Sequence, residues 1–161
     1  MSDIVWSVNP QNDSMQKVVE RLTLFATETL ETVGISLKVS IGDGVTHLNL
    51  PMAKRKEFYM IVKEAVTNCA RHSRAKNAHI VLEKENGHLI FQLRDDGVGL
   101  PGDLTTIKKV SNRVIPDGSR PGFGGNGLKN MAARATAIGG DLTVTSEPGG
   151  GTVVWLSVPL G

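Results

Sequence analysis

The sequence predicts an α+β domain in which helices cover one face of a mixed, mostly antiparallel sheet. Two observations predict this class. Alternating apolar segments occur in pairs around turn residues such as Glu85-Asn86-Gly87, which is typical of β-hairpins. Segments with helical periodicity separate these pairs, without the regular strand–helix–strand repeat of a parallel sheet. A two-layer α/β sandwich is therefore expected, with one sheet face packed against the helices.

The first predicted helix has apolar residues every three or four positions from Val18 to Val33, with Asp13 or Ser14 as its cap and Gly34 at its end. The second follows Pro51, and the third ends at the pair Gly139-Gly140. In chain order, the predicted elements are a helix to about 33, strands at 35–41 and 46–50, a helix at 53–72, strands at 78–83 and 88–93, a helix at 127–138, and strands at 142–145 and 153–158.

The composition indicates one soluble domain, because 40% of the 161 residues are hydrophobic. A formal net charge of +2 and an aromatic content of 4% do not suggest a nucleic-acid-binding protein. The single cysteine, Cys69, excludes an intrachain disulfide and a cysteine-based zinc cluster, and we expect it on a buried helix face. With no signal peptide and no membrane-spanning run, we expect a cytoplasmic chain without membrane contact.

The chain divides into a short leader and one domain. Residues 1–13 have the pattern of a helix end stopped by Pro10, and they could equally be a floppy leader. The domain then covers 14–161. Within it, about 100–124 is rich in Pro, Gly and basic residues and lacks periodicity, which is typical of a functional loop or lid.

The second helix carries a polar pair, Glu64 and Asn68, whose spacing of four places them on one helix face. An amide oxygen is a suitable ligand for Mg²⁺, and a glutamate can take a proton from an attacking hydroxyl or water. Arg71, one turn further on, could reach a phosphate. An ordinary polar helix face with a Glu–Arg pair explains this segment equally simply.

The segment 95–99, Asp-Asp-Gly-Val-Gly, follows a strand directly. The carboxylate of Asp95 could accept a hydrogen bond from an exocyclic amine such as that of adenine. Gly97 and Gly99 would let the backbone approach a flat base. A simple strand-ending turn is the alternative.

The glycine-rich segment 122–127 leads into the third helix and formally matches the dinucleotide-binding pattern. That fold is excluded because the pattern must follow a strand, and here it follows a loop. What remains is a helix N-terminus whose free N–H groups could bind phosphate. Thr152, before the last strand, could contact a base or a shared water, or be an ordinary strand residue.

These four motifs, in this order, resemble the ATP-binding domain of the GHKL superfamily, which includes DNA gyrase, Hsp90-type chaperones, mismatch-repair ATPases and sensor histidine kinases. The resemblance covers roughly 53–160 and implies the Bergerat ATP-binding fold with an ATP lid. Segments 63–73 and 125–131 are most similar to the catalytic domain of two-component sensor histidine kinases, in the nitrate-sensor and DesK-like subgroup. Segment 3–10 is similar to the junction with their dimerisation helices.

The resemblance implies ATP and Mg²⁺ as cofactors and assigns a role to each motif. Asn68 would coordinate Mg²⁺, and Asp95 would read the adenine amine. Glu64 would be a base or would orient the metal site, and Arg71 would contact a phosphate. The residues expected to line the rest of the nucleotide site are Gly97, Gly99, Gly125, Gly127, Leu128 and Thr152.

The kinases of this family carry their phosphoacceptor histidine on a helix before this domain. Nothing before Trp6 supplies one, and the four histidines all fall in or beside elements of the ATP domain. We therefore expect a fragment, such as the cytosolic part of a membrane-bound sensor, that does not autophosphorylate alone. Its expected partners are the dimerisation domain of the same kinase and a response regulator.

Two other functions are compatible with the motifs. A free-standing anti-sigma-factor serine kinase of the same superfamily would have a similar length. A degenerate module could have lost ATP and serve only as a docking surface. Saturable, Mg²⁺-sensitive nucleotide binding would separate the degenerate module from the two kinases.

Overall fold

In the described residues, helices pack on one face of a six-stranded sheet. The computed structural model describes residues 14–98, 106–108, 125–147 and 151–160. The helices are α1 (Met15–Thr32), α2 (Met52–Asn68) and α3 (Gly125–Ala137). The strands are β1 (Ser36–Ile41), β2 (Asn77–Glu85), β3 (His88–Asp95), β4 (Thr106–Lys108), β5 (Asp141–Glu147) and β6 (Gly151–Pro159). The predicted leader, 1–13, lies outside the described residues.

The strand order across the sheet is β1-β2-β3-β6-β5-β4. The pair β1–β2 is parallel, and the other four pairs are antiparallel. Helix α2 lies between β1 and β2 in the chain and forms part of the crossover connection that a parallel pair requires. The predicted mixed, mostly antiparallel sheet is confirmed.

Alternate strand residues face the helices and form one core. Phe91 of β3 is fully buried and meets Phe58 of α2 edge-to-face, with ring centroids 6.2 Å apart. From the helices, the core takes one apolar stripe each, including Leu22, Val62 and Met131. This packing fixes where the ends of α2 and β3 lie, and the candidate site is built on those two ends.

The ends of α1 follow the local chemistry predicted for them. The Ser14 hydroxyl accepts a hydrogen bond from the Lys17 N–H at 3.2 Å and so caps the helix. At the other end Gly34 has φ +87°, and the Ile35 N–H donates to the Leu30 carbonyl at 2.9 Å, which closes the helix.

One local prediction is wrong. The segment predicted as a strand at 46–50 instead begins with a 3₁₀ turn, Val45–His47, because Gly44 at φ +84° turns the chain out of the sheet. The predicted lid interval contains β4, whose three residues pair with Thr143 to Thr145 of β5. The rest of that interval, 100–105 and 109–124, lies outside the described residues. None of the described helices combines the length and apolarity needed to cross a bilayer.

Candidate nucleotide site

The last two turns of α2 carry the predicted polar pair. Glu64 and Asn68 are both half-buried, while Ala65 and Val66 between them face the core. Spacing of four within one α-helix places the two polar side chains on one face. They bring a carboxylate and an amide oxygen, which are hard oxygen donors, to the exposed end of the helix.

Directly after Asn68 the helix widens into a single π-helical turn, Cys69–Ser73. Arg74 then adopts φ +54° and ends the helical segment. The sequence predicted a helix to His72 but not this change of geometry, and such turns are frequent at functional sites. Arg71 is exposed on the wide turn, so the α-helical spacing that placed it one turn beyond Asn68 does not apply. Its phosphate contact stays a prediction.

Asp95, the last residue of β3, is buried, with 8% of its surface exposed. Its Oδ1 accepts a hydrogen bond from the Gly97 N–H at 2.8 Å, and its Oδ2 lies 3.8 Å from the Cys69 thiol. Burial raises the pKa of this carboxyl, while hydrogen bonds from the backbone of Gly97 and Thr152 and from Cys69 act against that rise. The carboxylate is thus oriented and has little contact with water.

Cys69 is buried as predicted, but it also contacts the site. Its Sγ lies 3.6 Å from the Ser73 hydroxyl in addition to its contact with Asp95. Burial raises the pKa of the Cys69 thiol to about 12, with the negative charge of Asp95 adding to the effect. The thiol therefore keeps its proton and can donate it toward Asp95. Its place directly after Asn68 is the only sequence signal for this contact.

Gly97 lies against the π-helical turn, where no side chain fits. A Cβ built on Gly97 would be 2.0 Å from the Ser73 carbonyl oxygen. The next residue, Val98, donates its N–H to that same oxygen at 2.7 Å. The sequence predicted that Gly97 lets the backbone approach a flat base. The structure adds that Gly97 lets its loop pack closely against the π-helical turn that follows α2. Gly99 lies outside the described residues.

Asp96, for which the sequence predicted no role, stabilises the same loop on its other side. Its Oδ1 accepts hydrogen bonds from the N–H groups of Lys76 and Asn77, each at 2.9 Å. Its Oδ2 accepts one from the Asn77 side-chain amide, also at 2.9 Å. These bonds, with the Asn77 side chain first, lower the pKa of Asp96, which is fully exposed.

Thr152 lies beside Asp95, because β6 pairs with β3 in a register that sets the two residues opposite each other. The preceding Gly151 has φ +90°, and a Cβ on it would be 2.0 Å from the Asp95 carbonyl oxygen. A glycine is therefore required for this close approach. The structure thus brings Asp95, Gly97 and Thr152 together at the end of α2.

The third helix begins at Gly125, so Gly125, Gly127 and Leu128 all lie in its first turn. The first N–H groups of a helix have no intrahelical partner and carry the positive end of its dipole. An ion pair between Arg134 of α3 and Glu57 of α2, at 2.7 Å, joins these two helices. The residues 122–124 that precede α3 lie outside the described part of the chain.

Comparison with known proteins identifies the class to which this fold and site belong. Residues 53–161 match the family model of histidine kinase-, DNA gyrase B- and HSP90-like ATPases. The chain therefore belongs to this family, and it is an ATP-binding domain of the type found in two-component histidine kinases. The nitrate-sensor and DesK-like subgroup stays a prediction.

Curated relatives are sensor kinases of greater length. Sensor histidine kinase YxjM of Bacillus subtilis is 32% identical over 117 residues, which are 73% of this chain and 24% of that protein. Sensor protein VraS of Staphylococcus aureus is 26% identical over 137 residues, 83% of this chain and 35% of that protein. The chain thus spans between about a quarter and a third of the length of these relatives.

Solved structures share the fold. Full-length ShkA, determined in complex with AMPPNP, matches with a TM-score of 0.70 at 16% identity, over 91% of this chain and 30% of that one. The histidine kinase domain of the blue-light-activated kinase EL346 from Erythrobacter litoralis matches with a TM-score of 0.65 at 19% identity, over 89% and 61%. These likenesses confirm the predicted fold class.

Proposed function

We propose that this chain binds Mg-ATP as the catalytic domain of a two-component sensor histidine kinase and donates the γ-phosphoryl group to a histidine on a separate dimerisation domain. The observation that carries the proposal is the buried carboxylate of Asp95 beside the end of α2. A buried carboxylate with spare acceptor sites can accept a hydrogen bond from a bound ligand.

Adenine supplies such a donor in its exocyclic N6 amine. Asp95 accepts hydrogen bonds from the Gly97 N–H, the Thr152 backbone and the Cys69 thiol, and a carboxylate with about four acceptor sites can still accept another. Guanine carries an acceptor oxygen at the matching ring position, which would face the carboxylate. The proposal therefore includes a preference for ATP over GTP. Thr152, opposite Asp95, would lie beside the base.

Asn68 would coordinate Mg²⁺ through its amide oxygen, with Glu64 orienting the metal site or acting as a base. In the described part of the chain, no group of three histidine, cysteine or acidic residues could hold a metal by itself. This fits Mg²⁺, which usually takes few protein ligands and completes its shell with water and substrate phosphates. Arg71 would add a phosphate contact from the exposed π-helical turn.

The first turn of α3, with Gly125, Gly127 and the backbone of Leu128, would bind the phosphates. The proposal requires α2 and α3 to run antiparallel. Counted from the Glu57–Arg134 ion pair, Asn68 would then lie about 16 Å and Gly125 about 14 Å along their helices, at the same end of the pair.

Phosphoryl transfer depends mainly on positioning and charge neutralisation, which this set of groups would supply. Relatives such as YxjM that are named histidine kinases favour histidine over serine as the acceptor. In this proposal 1–13 joins the domain, 14–161, to the preceding helices, and about 100–124 closes as a lid. The longer protein would act in the cytoplasm, with a response regulator as the next acceptor.

Calorimetric titration with a non-hydrolysable ATP analogue, with and without Mg²⁺, tests the nucleotide site directly. Saturable binding that Mg²⁺ strengthens supports the proposal, and the GTP analogue should bind at least about tenfold more weakly. Absence of binding at millimolar nucleotide would reject it and leave the docking module as the better reading. Transfer of labelled γ-phosphate to a separately produced dimerisation domain of the longer protein tests the acceptor.

Asn68→Ala should remove the Mg²⁺ dependence of binding, because the amide oxygen is the only metal ligand proposed from its turn. The same titration measures this, with thermal unfolding to verify the fold. Gln92→Ala removes a carboxamide from the opposite face of the sheet and is the matched control. An unchanged Mg²⁺ effect in Asn68→Ala would exclude Asn68 from the metal site.

A further inference from the structure

The sheet face turned away from the helices carries a row of basic side chains. Lys38 of β1 is opposite His79 of β2, and His79 is opposite Arg94 of β3. Strand alternation places all three on the same face, because their neighbours Leu37, Ala78 and Leu93 belong to the core side. We call these three residues the basic row.

The basic row is not neutralised by the described part of the chain, where neither Lys38 nor Arg94 has a carboxylate partner. Both are exposed, and His79 is hydrogen-bonded to the Ser40 hydroxyl at 2.9 Å. The carboxylate of Asp96, near the end of the row, accepts hydrogen bonds from Lys76 and Asn77 instead. Lys38 and Arg94 thus place two exposed positive charges on one face of the sheet, on either side of His79, and this arrangement favours an external anion.

The surroundings of the row have the composition of a protein interface. An open cavity of about 510 Å³ is lined by Lys38, His79, Arg94 and Val153, with Asp95 and Asp96 where β3 ends. The next row on the same face contains Val81 and Trp155, both half-buried, on either side of Gln92. Arginine and tryptophan beside aliphatic surface are the residue types that dominate binding energy at interfaces.

We propose that the basic row and the adjacent Trp155 surface bind an acidic segment of another polypeptide. The backbones at the two ends of the row are two strand spacings, about 10 Å, apart, so Lys38 and Arg94 can each meet a separate carboxylate. An extended chain repeats its side-chain direction about every 7 Å. It can therefore bring separate carboxylates to Lys38 and Arg94 while an apolar side chain covers Trp155.

The test uses the full 161-residue chain, labelled with ¹⁵N, and titrates it with octaglutamate, octaglutamine and inorganic phosphate. Octaglutamate should shift the amide signals of β1, β2 and β3 around the basic row, and added salt should weaken the binding. Lys38→Glu should lower the affinity about fivefold, as expected for one exposed ion pair turned repulsive. Lys84→Glu makes the same charge change on β2 away from the row and should leave the affinity unchanged.

Arg94→Glu provides a second variant, with thermal unfolding to verify the fold of each. The proposal fails if octaglutamine binds equally well, or if Lys84→Glu weakens binding as much as Lys38→Glu. It also fails if phosphate produces the same shifts at the same affinity, because the face would then bind small anions. No shift with octaglutamate rejects it outright.

Discussion

Two neighbouring carboxylates at the end of β3 differ in nearly every physical respect. Asp95 is buried on the helix side, and burial raises its pKa. Asp96 is exposed, and hydrogen bonds from Asn77 and Lys76 lower its pKa. Asp95 keeps accepting capacity inside a pocket, whereas Asp96 has its two oxygens engaged by three N–H donors. In the proposed function Asp95 recognises the base, whereas the hydrogen bonds of Asp96 hold the loop that carries both residues.

The two carboxylates should affect stability with opposite signs as the pH changes. The raised folded-state pKa of Asp95 means that its ionisation disfavours the folded chain, so its effect becomes unfavourable as the pH rises through that pKa. The lowered pKa of Asp96 means that its contribution is present above the usual carboxyl pKa of 3.8 and is lost as the pH falls through the folded-state value. A measurement of stability against pH therefore distinguishes the two carboxylates.

Asp95→Asn should cause the largest loss of nucleotide affinity, about 100-fold, because the amide can turn a donor toward the adenine amine and leave both buried groups unsatisfied. Calorimetry with the ATP analogue measures the loss. The melting temperature at pH 7 should not fall, since the variant removes a buried charge. Asp43→Asn, in an exposed turn, is the matched control. Unchanged ATP affinity in Asp95→Asn would contradict a role for Asp95 in binding the base.

Gly97→Ala should have the next largest effect, by separating the loop from the end of α2. The new Cβ would meet the Ser73 carbonyl carbon and oxygen, so the backbone must move and the Val98 hydrogen bond must lengthen. We expect a loss of about 2 kcal/mol in the free energy of unfolding, measured by urea denaturation. Gly44→Ala controls for backbone strain alone, because Gly44 has φ +84° and no heavy atom within 4 Å of its Cβ position. Equal losses in the two variants would contradict the contact argument.

Asp96→Ala should weaken ATP binding by about fivefold without touching the base, since the loop that orients Asp95 loses three hydrogen bonds. The same change should lower the melting temperature at pH 7, and this difference from the parent should shrink below pH 3.8. Asn77→Ala removes one of the three bonds and should give a smaller effect in both measurements. A loss of affinity as large as that of Asp95→Asn would mean that Asp96 contacts the nucleotide itself.

Sequence patterns predicted the fold because periodicity reports burial directly. The alternation in β2 and β3 and the helical spacing in α1 indicated one buried face each, and the Ser14 cap and Gly34 terminus followed from local chemistry. The predicted strand at 46–50 was wrong. A five-residue segment with only two apolar residues has too little pattern to distinguish a strand from a turn that follows a left-handed glycine.

The site was only partly predictable for a related reason. Motifs drew attention to Asn68, Asp95 and Thr152, and the pairing of β3 with β6 brings the last two together. The π-helical turn and the role of Asp96 were missed, because both depend on contacts between segments about 20 residues apart in sequence. Spacing describes the regular elements, whereas these features arise where two elements end against each other.

Substitution of Cys69 should have the smallest effect and tests Asp95 separately from Asp96, because the thiol contacts Asp95. With its pKa raised to about 12, the thiol stays protonated at neutral pH and is a weak donor to Asp95. Cys69→Ala should therefore weaken ATP binding by about threefold, while Cys69→Ser, which keeps a donor, should stay closer to the parent. Calorimetry of both variants measures this, with Cys69→Ser as the matched control. If both variants bind ATP like the parent, the backbone of Gly97 and Thr152 alone orients Asp95. The Cys69 thiol then contributes only packing.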